Sequence, residues 1–353
     1  MPDFDLNKLV RPNILNLKPY RSARDDFKEG LLLDANENSI GSSAEFGGLS
    51  LNRYPDPHHA ELRAEVGKFR NVNPNHIFAG NGSDEAIDLL IRIFCRPEKD
   101  PIIITPPTYG MYRVCADSHD VPVIETPLNP DFSLNPELVI QSASENNAPL
   151  IFLCSPNNPT ANSLNPNDIK KILLETHSVV VVDEAYIDFS IEKSFVDELS
   201  SYHNLVVLQT LSKAFGLAGL RIGLAFANTE IIQLMMRVKP PYNVNSVTQK
   251  LATEALRNPQ IVQKTIRELL AGRNFLEKEL GKMAAVEKIF PSDANFLLIR
   301  VPEAKSVYKK LSEEGIIVRY RGDQLHCENT LRITVGAAAE NSRLIEALNK
   351  ILT

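Results

Sequence analysis

Residues 178–189 read SVVVVDEAYIDF, and this stretch indicates the fold more directly than any other part of the chain. Four consecutive valines predict a strand that is buried on both faces, which is typical of a parallel sheet covered by helices. Asp183 and Glu184 follow at the carboxyl end of that strand. A carboxylate at the end of a buried strand needs a partner. Because the sequence has no GxxxxGK[ST] loop for a nucleotide phosphate, we expect a cationic organic partner.

The surrounding sequence, from about residue 75 to 228, alternates short apolar strands, Gly/Pro/Asn loops and amphipathic helical segments. This alternation predicts an α/β domain with a mainly parallel sheet of seven strands. The predicted strands span residues 77–80, 101–105, 122–126, 149–154, 178–183, 205–209 and 222–227. In such sheets ligands bind at the loops beyond the carboxyl ends of the strands, so these loops are the first candidates for a functional site.

The two ends of the chain differ from this pattern. After about residue 245 come a long charged helix over 258–282, then FLLIR, a helix, IIVRY, LRITV and a final helix, which together predict a smaller α+β domain. The first forty residues carry PYRSAR and DANEN and are predicted to form an arm across the body. We therefore expect an arm over 1–45, a large α/β domain over 46–245 and a small domain over 246–353.

Composition excludes several classes of function. The net charge of −6 is spread over 353 residues without a basic patch, so small molecules are expected as partners rather than nucleic acid. The start of the chain lacks a basic signal-peptide flank and no apolar run approaches the ~18 residues that span a bilayer, so we expect a cytoplasmic protein without a membrane partner. The four cysteines form no CxxC pair and the seven histidines show no ligand spacing, so neither disulfides nor a metal site are predicted.

A glycine-containing loop follows the strand predicted at 77–80. The free N–H groups of Gly82, Ser83 and Asp84 at the start of the next helix suit a phosphate. The dinucleotide fingerprint GxGxxG is broken by Glu85, so a nicotinamide site is not expected. The alternative, that Ser83 only caps the helix, stays open on this segment alone.

A lysine lies in the apolar loop after the strand predicted at 205–209. Desolvation by the small and apolar residues around Lys213 lowers the pKa of its amine and favours a nucleophile. Arg221, eight residues further on, can reach a phosphate that nearby hydroxyls also hold. An ordinary surface lysine is the alternative, and the apolar neighbours suit it poorly.

The motifs taken together carry a resemblance. Asn158-Pro159, Asp183-x-x-Tyr186 and Ser212-Lys213 with Arg221 resemble the fold-type I aminotransferases that use pyridoxal phosphate. A closer similarity, to the histidinol-phosphate aminotransferase family, covers nearly the whole chain. It rests on the segments PYRSAR, DANEN, NRYPDP, GNGSDE, PPTYGMY, SPNNPT, VVDEAY, TLSKAFGLAGLRIG, KPPYNVN and LRITVG.

The resemblance implies pyridoxal 5'-phosphate as cofactor and assigns roles around its ring. Lys213 is expected to form a Schiff base with the cofactor aldehyde and to move the substrate proton. Asp183 is expected to pair with the pyridinium nitrogen. Asn158 and Tyr186 are expected to hydrogen-bond the ring oxygen, and Tyr109 to stack on the ring. Lys213, Asp183 and Tyr186 form the predicted catalytic set.

The resemblance also implies how the cofactor phosphate is held. The expected ligands are the amides of Gly82, Ser83 and Asp84, the hydroxyls of Thr210 or Ser212, and the Arg221 guanidinium. A tyrosine in the position of Tyr54 reaches this phosphate from the partner subunit in the family, so a homodimer is expected.

The implied substrates are L-histidinol phosphate and the pair glutamate and 2-oxoglutarate. Arg332 in LRITVG is expected to bind the substrate phosphate or carboxylate, since one guanidinium fork suits both anions. Arg319, Tyr20 and Asn158 are expected to contact substrate too. Arg321 is an alternative to Arg319, because alternate residues of a strand share a face.

Three positions depart from the family pattern. Ser39, Ser155 and Ala161 replace a proline, an asparagine and a glycine, respectively, and none of these changes removes a group that the chemistry needs.

Other functions remain open. The nearest alternative is a threonine-phosphate decarboxylase, which shares the lysine and the aspartate. An aromatic amino acid aminotransferase and a cofactor-binding protein without catalysis are the others.

Overall fold

The computed structural model of the protein describes residues 4–26 and 29–352. Its larger sheet has seven strands in the order β1-β7-β6-β5-β4-β2-β3. They are β1 (Ile77–Gly80), β2 (Ile102–Ile104), β3 (Val123–Glu125), β4 (Leu150–Cys154), β5 (Val179–Asp183), β6 (Leu205–Thr210) and β7 (Gly223–Ala227). Only the pairs that include β7 are antiparallel. The prediction of a mainly parallel seven-stranded sheet is confirmed.

Both faces of this sheet are covered, as the valine run in β5 predicts. Val180 and Val182 belong to one hydrophobic cluster and Val179 and Val181 to another, because alternate side chains of a strand point to opposite faces. All five residues of β5 are buried. The strand ends with Asp183, at the side of the sheet where the parallel strands have their carboxyl ends.

Thirteen α-helices lie in the described part of the chain. They are α1 (Leu6–Leu9), α2 (Pro12–Leu15), α3 (Ala23–Asp26), α4 (Ala60–Arg70), α5 (Ser83–Phe94), α6 (Met111–Ser118), α7 (Pro136–Asn146), α8 (Pro166–Glu175), α9 (Thr229–Val238), α10 (Ser246–Leu256), α11 (Pro259–Leu280), α12 (Ala304–Glu313) and α13 (Ala338–Leu352). Within the ranges 4–26 and 29–352, none is long and apolar enough to cross a membrane.

A second, antiparallel sheet follows α11 in the chain. Its strands are β8 (Lys288–Ile289), β9 (Phe296–Arg300), β10 (Arg319–Tyr320) and β11 (Thr330–Thr334), in the order β10-β11-β9-β8. Side chains from α11, α12 and α13 form one hydrophobic cluster with these strands. The segment IIVRY forms a strand only at its last two residues, and β8 was not predicted.

The N-terminal segment lies against the large sheet's helices and then becomes irregular. Val10 and Ile14 are buried in the cluster that contains α5 and α9, and the Arg11 amide donates to the carbonyl of Ile93 at 3.0 Å. No helix or strand occurs among residues 29–59. Residues 1–3 and 27–28 of the expected arm lie outside the described residues.

Candidate functional site

A cavity of about 120 Å³ lies beyond the carboxyl ends of β4, β5 and β6. The residues that line it are Gly82, Ser83, Asp84, Tyr109, Cys154, Asn158, Asp183, Ala185, Tyr186, Thr210, Ser212, Lys213, Ala218 and Arg221. The structure thus brings together every predicted cofactor residue except Tyr54, from loops that are far apart in sequence. Cys154, Ala185 and Ala218 also line the cavity and were not predicted.

Asp183 is the buried one of the two acids that line the cavity, and this chain already engages both of its oxygens. Its Oδ2 accepts a hydrogen bond from the Tyr112 hydroxyl at 2.7 Å, and its Oδ1 accepts one from the Ala185 amide at 3.1 Å. Burial raises the pKa of the Asp183 carboxyl to about 6, although these two hydrogen bonds act in the opposite direction. No cation forms a salt bridge with Asp183 within the described residues. The carboxylate is therefore suited to a positively charged ligand group.

Glu184, the second acid of the motif, faces away from this cavity. Its carboxylate accepts hydrogen bonds from the Ser194 hydroxyl at 2.5 Å, the Phe195 amide at 2.6 Å and the Gln209 side chain at 2.9 Å. Burial raises the pKa of Glu184 to about 7. Glu184 thus ties the segment at 194–195 to the sheet, and only Asp183 serves the cavity.

Lys213 follows β6 and is the amine of the cavity. Its Nζ lies 5.6 Å from the centre of the Tyr186 ring. Burial lowers the pKa of the Lys213 amine, and the positive charges of Arg332 and Arg221 lower it further. A larger fraction of the amine is therefore neutral, and nucleophilic, than at an exposed lysine.

One end of the cavity is built to hold an anion. The helix α5 begins there, after Gly82 at a φ of +82°, and Arg221 lies beside it, with its Nη2 3.3 Å from the Asp84 carboxylate. The positive φ favours glycine at this position, and a Cβ atom on Gly82 would also lie 2.7 Å from Arg221 Nη2, in the space between the helix and the guanidinium. The hydroxyls of Thr210 and Ser212, 2.9 Å apart, complete this end.

A group of arginines contacts the cavity through Asn158. Arg332 on β11 donates a hydrogen bond to Asn158 Oδ1, and Asn158 Nδ2 lies 3.5 Å from the Tyr186 hydroxyl. Arg319 on β10 is the register partner of Arg332, so the two side chains lie next to each other on one face of the sheet.

Arg321 belongs to the same arginine cluster. Its Nε is buried and has no hydrogen-bond partner within the described residues. Burial lowers the pKa of Arg321, and the charge of Arg319 lowers it further. Within the described ranges, no carboxylate forms a salt bridge with Arg319, Arg321 or Arg332. Asp323 lies near enough to oppose this lowering of the Arg321 pKa, but three guanidinium groups that form no salt bridge in the described part of the chain are suited to a dianion such as a phosphate ester.

The two predicted tyrosines of the N-terminal half lie elsewhere. Tyr20 is exposed and lines a separate cavity of about 760 Å³, which contains none of the predicted cofactor residues. Tyr54 is half exposed and its ring stacks on Tyr242, with ring centres 4.4 Å apart. This single chain therefore does not bring Tyr20 or Tyr54 to the cavity.

Tyr112, which donates to Asp183, was not among the predicted site residues. Its ring stacks on Phe152 at 4.7 Å and meets Tyr109 edge-on at 5.5 Å, so the ring is fixed while its hydroxyl reaches Asp183. The available signal was its position in PPTYGMY, three residues after the predicted stacking residue Tyr109. A buried strand that ends in an acid requires such a donor, but sequence does not say which hydroxyl provides it.

Ala161 shows how a departure from the family pattern is accommodated. It is fully buried and adopts a φ of +70°, which is the conformation that glycine accepts more readily. Its amide donates to the Asn157 carbonyl at 2.8 Å and its carbonyl accepts from the Asp293 amide at 2.8 Å. The loop that carries Asn158 therefore keeps its hydrogen bonds although the residue is alanine.

Comparisons with known proteins agree with this geometry. Residues 33–351 match the family model described as aminotransferase class I and II. The chain is 48% identical to the histidinol-phosphate aminotransferase of Cytophaga hutchinsonii over 347 residues, which cover 98% of this chain and 99% of the relative.

Two solved structures have the same fold. The histidinol-phosphate aminotransferase of Sinorhizobium meliloti in complex with pyridoxal-5'-phosphate superimposes with a TM-score of 0.79 at 20% identity, over 86% of this chain and 83% of that one. The L-threonine-O-3-phosphate decarboxylase of Porphyromonas gingivalis superimposes with a TM-score of 0.73 at 26% identity, over 86% of this chain and 91% of that one.

Proposed function

The chain belongs to the histidinol-phosphate aminotransferases, within aminotransferase class I and II, and from this we propose that it interconverts L-histidinol phosphate and 2-oxoglutarate with imidazole-acetol phosphate and L-glutamate. This is a step of histidine biosynthesis. The observation that carries the proposal is the 48% identity over nearly the full length of both chains.

The residues around the cavity fit pyridoxal 5'-phosphate. A buried carboxylate with no salt bridge among the described residues, an amine of lowered pKa and an anion cradle that a Cβ at Gly82 would fill lie around one space. When bound, this cofactor provides a ring that accepts the electrons left on the substrate carbon after its proton is removed. Asp183 would pair with the ring nitrogen, and Lys213 would bind the aldehyde.

Each residue of the cradle has a proposed task. The amides of Gly82, Ser83 and Asp84 at the start of α5 donate to the cofactor phosphate, because helix N-termini attract anions. The hydroxyls of Thr210 and Ser212 and the guanidinium of Arg221 complete its ligands. Asn158 and Tyr186 would hydrogen-bond the ring oxygen of the cofactor, and Tyr109 would cover its ring.

The proton is moved by Lys213. In its neutral form the amine would accept the proton from the substrate carbon and deliver it to the cofactor carbon. The lowered pKa of Lys213 favours the neutral form, and the positive charges of Arg332 and Arg221 contribute to that shift. Tyr186, below Lys213 Nζ, restricts the positions that the amine can take.

Arg332 selects the substrate by its anionic group. It binds the phosphate of histidinol phosphate in one half-reaction and a carboxylate of glutamate in the other, since both anions accept two parallel hydrogen bonds from guanidinium. Arg319 supports the same anion, and Asn158 orients Arg332 through their hydrogen bond. Tyr20 lines a separate cavity of this chain, and its contact with the substrate phosphate is a further part of this proposal.

We also propose a homodimer in which Tyr54 contacts the cofactor phosphate of the partner subunit. Large apolar side chains at Leu31, Leu33 and Ile40 are exposed on the segment before Tyr54, which suits a surface that a second copy covers.

We propose that the chain is divided into an arm over 1–45, a large domain over 46–245 and a small domain over 246–353. We also propose that the protein is located in the cytoplasm.

The proposal is tested by giving the cofactor-loaded protein one substrate at a time. L-Histidinol phosphate should abolish the absorbance of the Lys213-bound cofactor, and 2-oxoglutarate should restore it. Lys213→Ala should still bind the cofactor but show neither change. Release of carbon dioxide from O-phosphothreonine, with no response to histidinol phosphate, would make the protein the decarboxylase instead.

A further inference from the structure

Glu37, in the motif DANEN, is a buried acid outside the cavity. Only 3% of its side chain is exposed. Its Oε1 accepts a hydrogen bond from the backbone amide of Tyr54 at 2.8 Å, and its Oε2 accepts one from Arg53 Nη1 at 2.7 Å. Burial alone would raise the pKa of Glu37, but these two hydrogen bonds and the charge of Arg24 outweigh it and hold the pKa below its usual value. The carboxylate is therefore charged and fixed.

Further contacts tie the loop of Glu37 to that of Tyr54. Arg24 places its Nη2 3.5 Å from Glu37 and 2.5 Å from Asp34. The side chain of Asn52 donates to the Asn38 carbonyl at 2.8 Å. These two loops carry the motifs DANEN and NRYPDP, and the proposed chemistry uses neither of them except for Tyr54.

The side chain of Tyr54 is held at its ring and open at its end. The ring stacks on Tyr242 at an interplanar angle of 12°. Within the described residues the Tyr54 hydroxyl makes no hydrogen bond, and half of the residue is exposed. Glu37 fixes the backbone of Tyr54 while Tyr242 fixes its ring, so the hydroxyl is the part left for a ligand.

We propose that Glu37 is a positioning residue, which sets the reach of the Tyr54 hydroxyl toward the cofactor phosphate of the partner subunit. This inference rests on the proposed role of Tyr54 in the dimer. Glu37 touches neither cofactor nor substrate in this assignment, and it acts through the Tyr54 amide. Its effect must therefore depend on the presence of the Tyr54 hydroxyl.

A double-mutant cycle tests that dependence. The dissociation constant of pyridoxal phosphate is measured for the unmodified protein, Glu37→Ala, Tyr54→Phe and the double variant. We expect Tyr54→Phe to weaken cofactor binding about 10-fold to 100-fold, the range for one lost hydrogen bond to a charged group, and Glu37→Ala, which removes the acceptor of the Tyr54 amide and acts indirectly, about 3-fold to 10-fold. In the Tyr54→Phe background, Glu37→Ala should add less than about 2-fold, because coupled residues are not additive.

Controls separate positioning from general damage to the arm. Glu45→Ala removes an exposed acid from the same segment and should leave the dissociation constant unchanged. Sedimentation of each variant checks that the dimer is intact, and Arg53→Gln, which removes one Glu37 contact but leaves the Tyr54 amide, should reproduce part of the effect.

The possible outcomes discriminate between the two proposals. If Tyr54→Phe weakens cofactor binding but Glu37→Ala leaves it unchanged, or weakens it equally in both backgrounds, the positioning role is wrong while that of Tyr54 stands. If Tyr54→Phe itself has no effect on the dissociation constant, the proposed contact of Tyr54 is wrong, and the positioning role is wrong with it.

Discussion

Asp183 shows how a single residue depends on neighbours that are remote in sequence. Its carboxylate is buried at the end of β5, where ionisation is costly, and its pKa is raised to about 6. Tyr112 and the Ala185 amide oppose that shift by donating to the ionised form. They also fix the plane of the carboxylate, which decides where a ring nitrogen can be bound.

Replacing Tyr112 by phenylalanine should isolate this contribution. The ring would keep its stacking on Phe152, while the hydrogen bond to Asp183 is lost, so the pKa of Asp183 should rise further. We expect about 3-fold to 10-fold weaker cofactor binding, and an altered pH titration of the bound cofactor's absorbance. Tyr308→Phe on α12, away from the cavity lining, is the control. Unchanged binding and an unchanged titration would show that Asp183 does not need Tyr112.

Whether a site residue could be predicted depends on whether its role follows from its own motif or from a contact that is remote in sequence. Lys213, Asp183 and Asn158 lie in motifs directly after strands, so sequence could indicate both their chemistry and their common edge of the sheet. Tyr112 acts through a contact across 71 positions of sequence, and no local pattern encodes it. The alternative between Arg319 and Arg321 has the same origin, since strand alternation gives both the same face and only packing distinguishes their burial.

At the level of elements, the proposed cofactor cradle depends on the close approach of β7 to the start of α5. Gly223 begins β7, and a Cβ atom there would lie 2.0 Å from the Ser83 amide nitrogen and 2.2 Å from the Gly82 carbonyl carbon. Neither atom belongs to a flexible side chain. The strand and the helix can therefore meet only where residue 223 is glycine.

Gly223→Ala should displace the start of α5 from the sheet. Because the amides of Gly82, Ser83 and Asp84 would move with it, we expect cofactor binding to weaken by about 10-fold or more, and the free energy of unfolding to fall by about 1–3 kcal/mol. Gly219→Ala in the preceding loop is a matched control, because a Cβ there meets nothing within 4 Å. Equal behaviour of the two variants in cofactor titration and urea unfolding would contradict this explanation.

The elements themselves were predictable where burial alone defines them. The seven strands of the large sheet lie within one residue of their predicted ends, because each is a short apolar run between polar loops. The two-residue strands β8 and β10 carry no such signal, since they exist only through pairing with β9 and β11. The irregular segment at 29–59 is likewise shaped by contacts such as that of Glu37 with Tyr54, which sequence patterns do not contain.

For the whole molecule, buried titratable groups set how stability depends on pH. Burial raises the pKa of Glu184 to about 7 and that of Asp183 to about 6. The folded protein therefore protonates these two carboxylates at a higher pH than the unfolded chain does. Their contribution to the free energy of unfolding therefore increases as the pH falls from about 7.

His59 has the opposite effect on how the free energy of unfolding depends on pH. It is fully buried, neither ring nitrogen has a hydrogen-bond partner within the described residues, and its pKa is lowered to about 3 by burial and by the charge of Lys239.

His59→Asn should remove the acid-sensitive part of this balance. Between pH 6.5 and about 3 the unfolded chain binds a proton at residue 59 that the folded protein does not. His59 therefore lowers the free energy of unfolding by up to about 1.4 kcal/mol for each unit by which the pH falls. Asparagine does not titrate, and it tolerates the φ of +50° at this helix cap. The variant should thus gain stability relative to the unmodified protein as the pH falls from 7 to 4.5, measured by urea unfolding at fixed protein and cofactor concentrations. His177→Asn, at an exposed histidine, should show no such gain. A difference between His59→Asn and the unmodified protein that stays constant over this range would mean that His59 takes up its proton without unfolding.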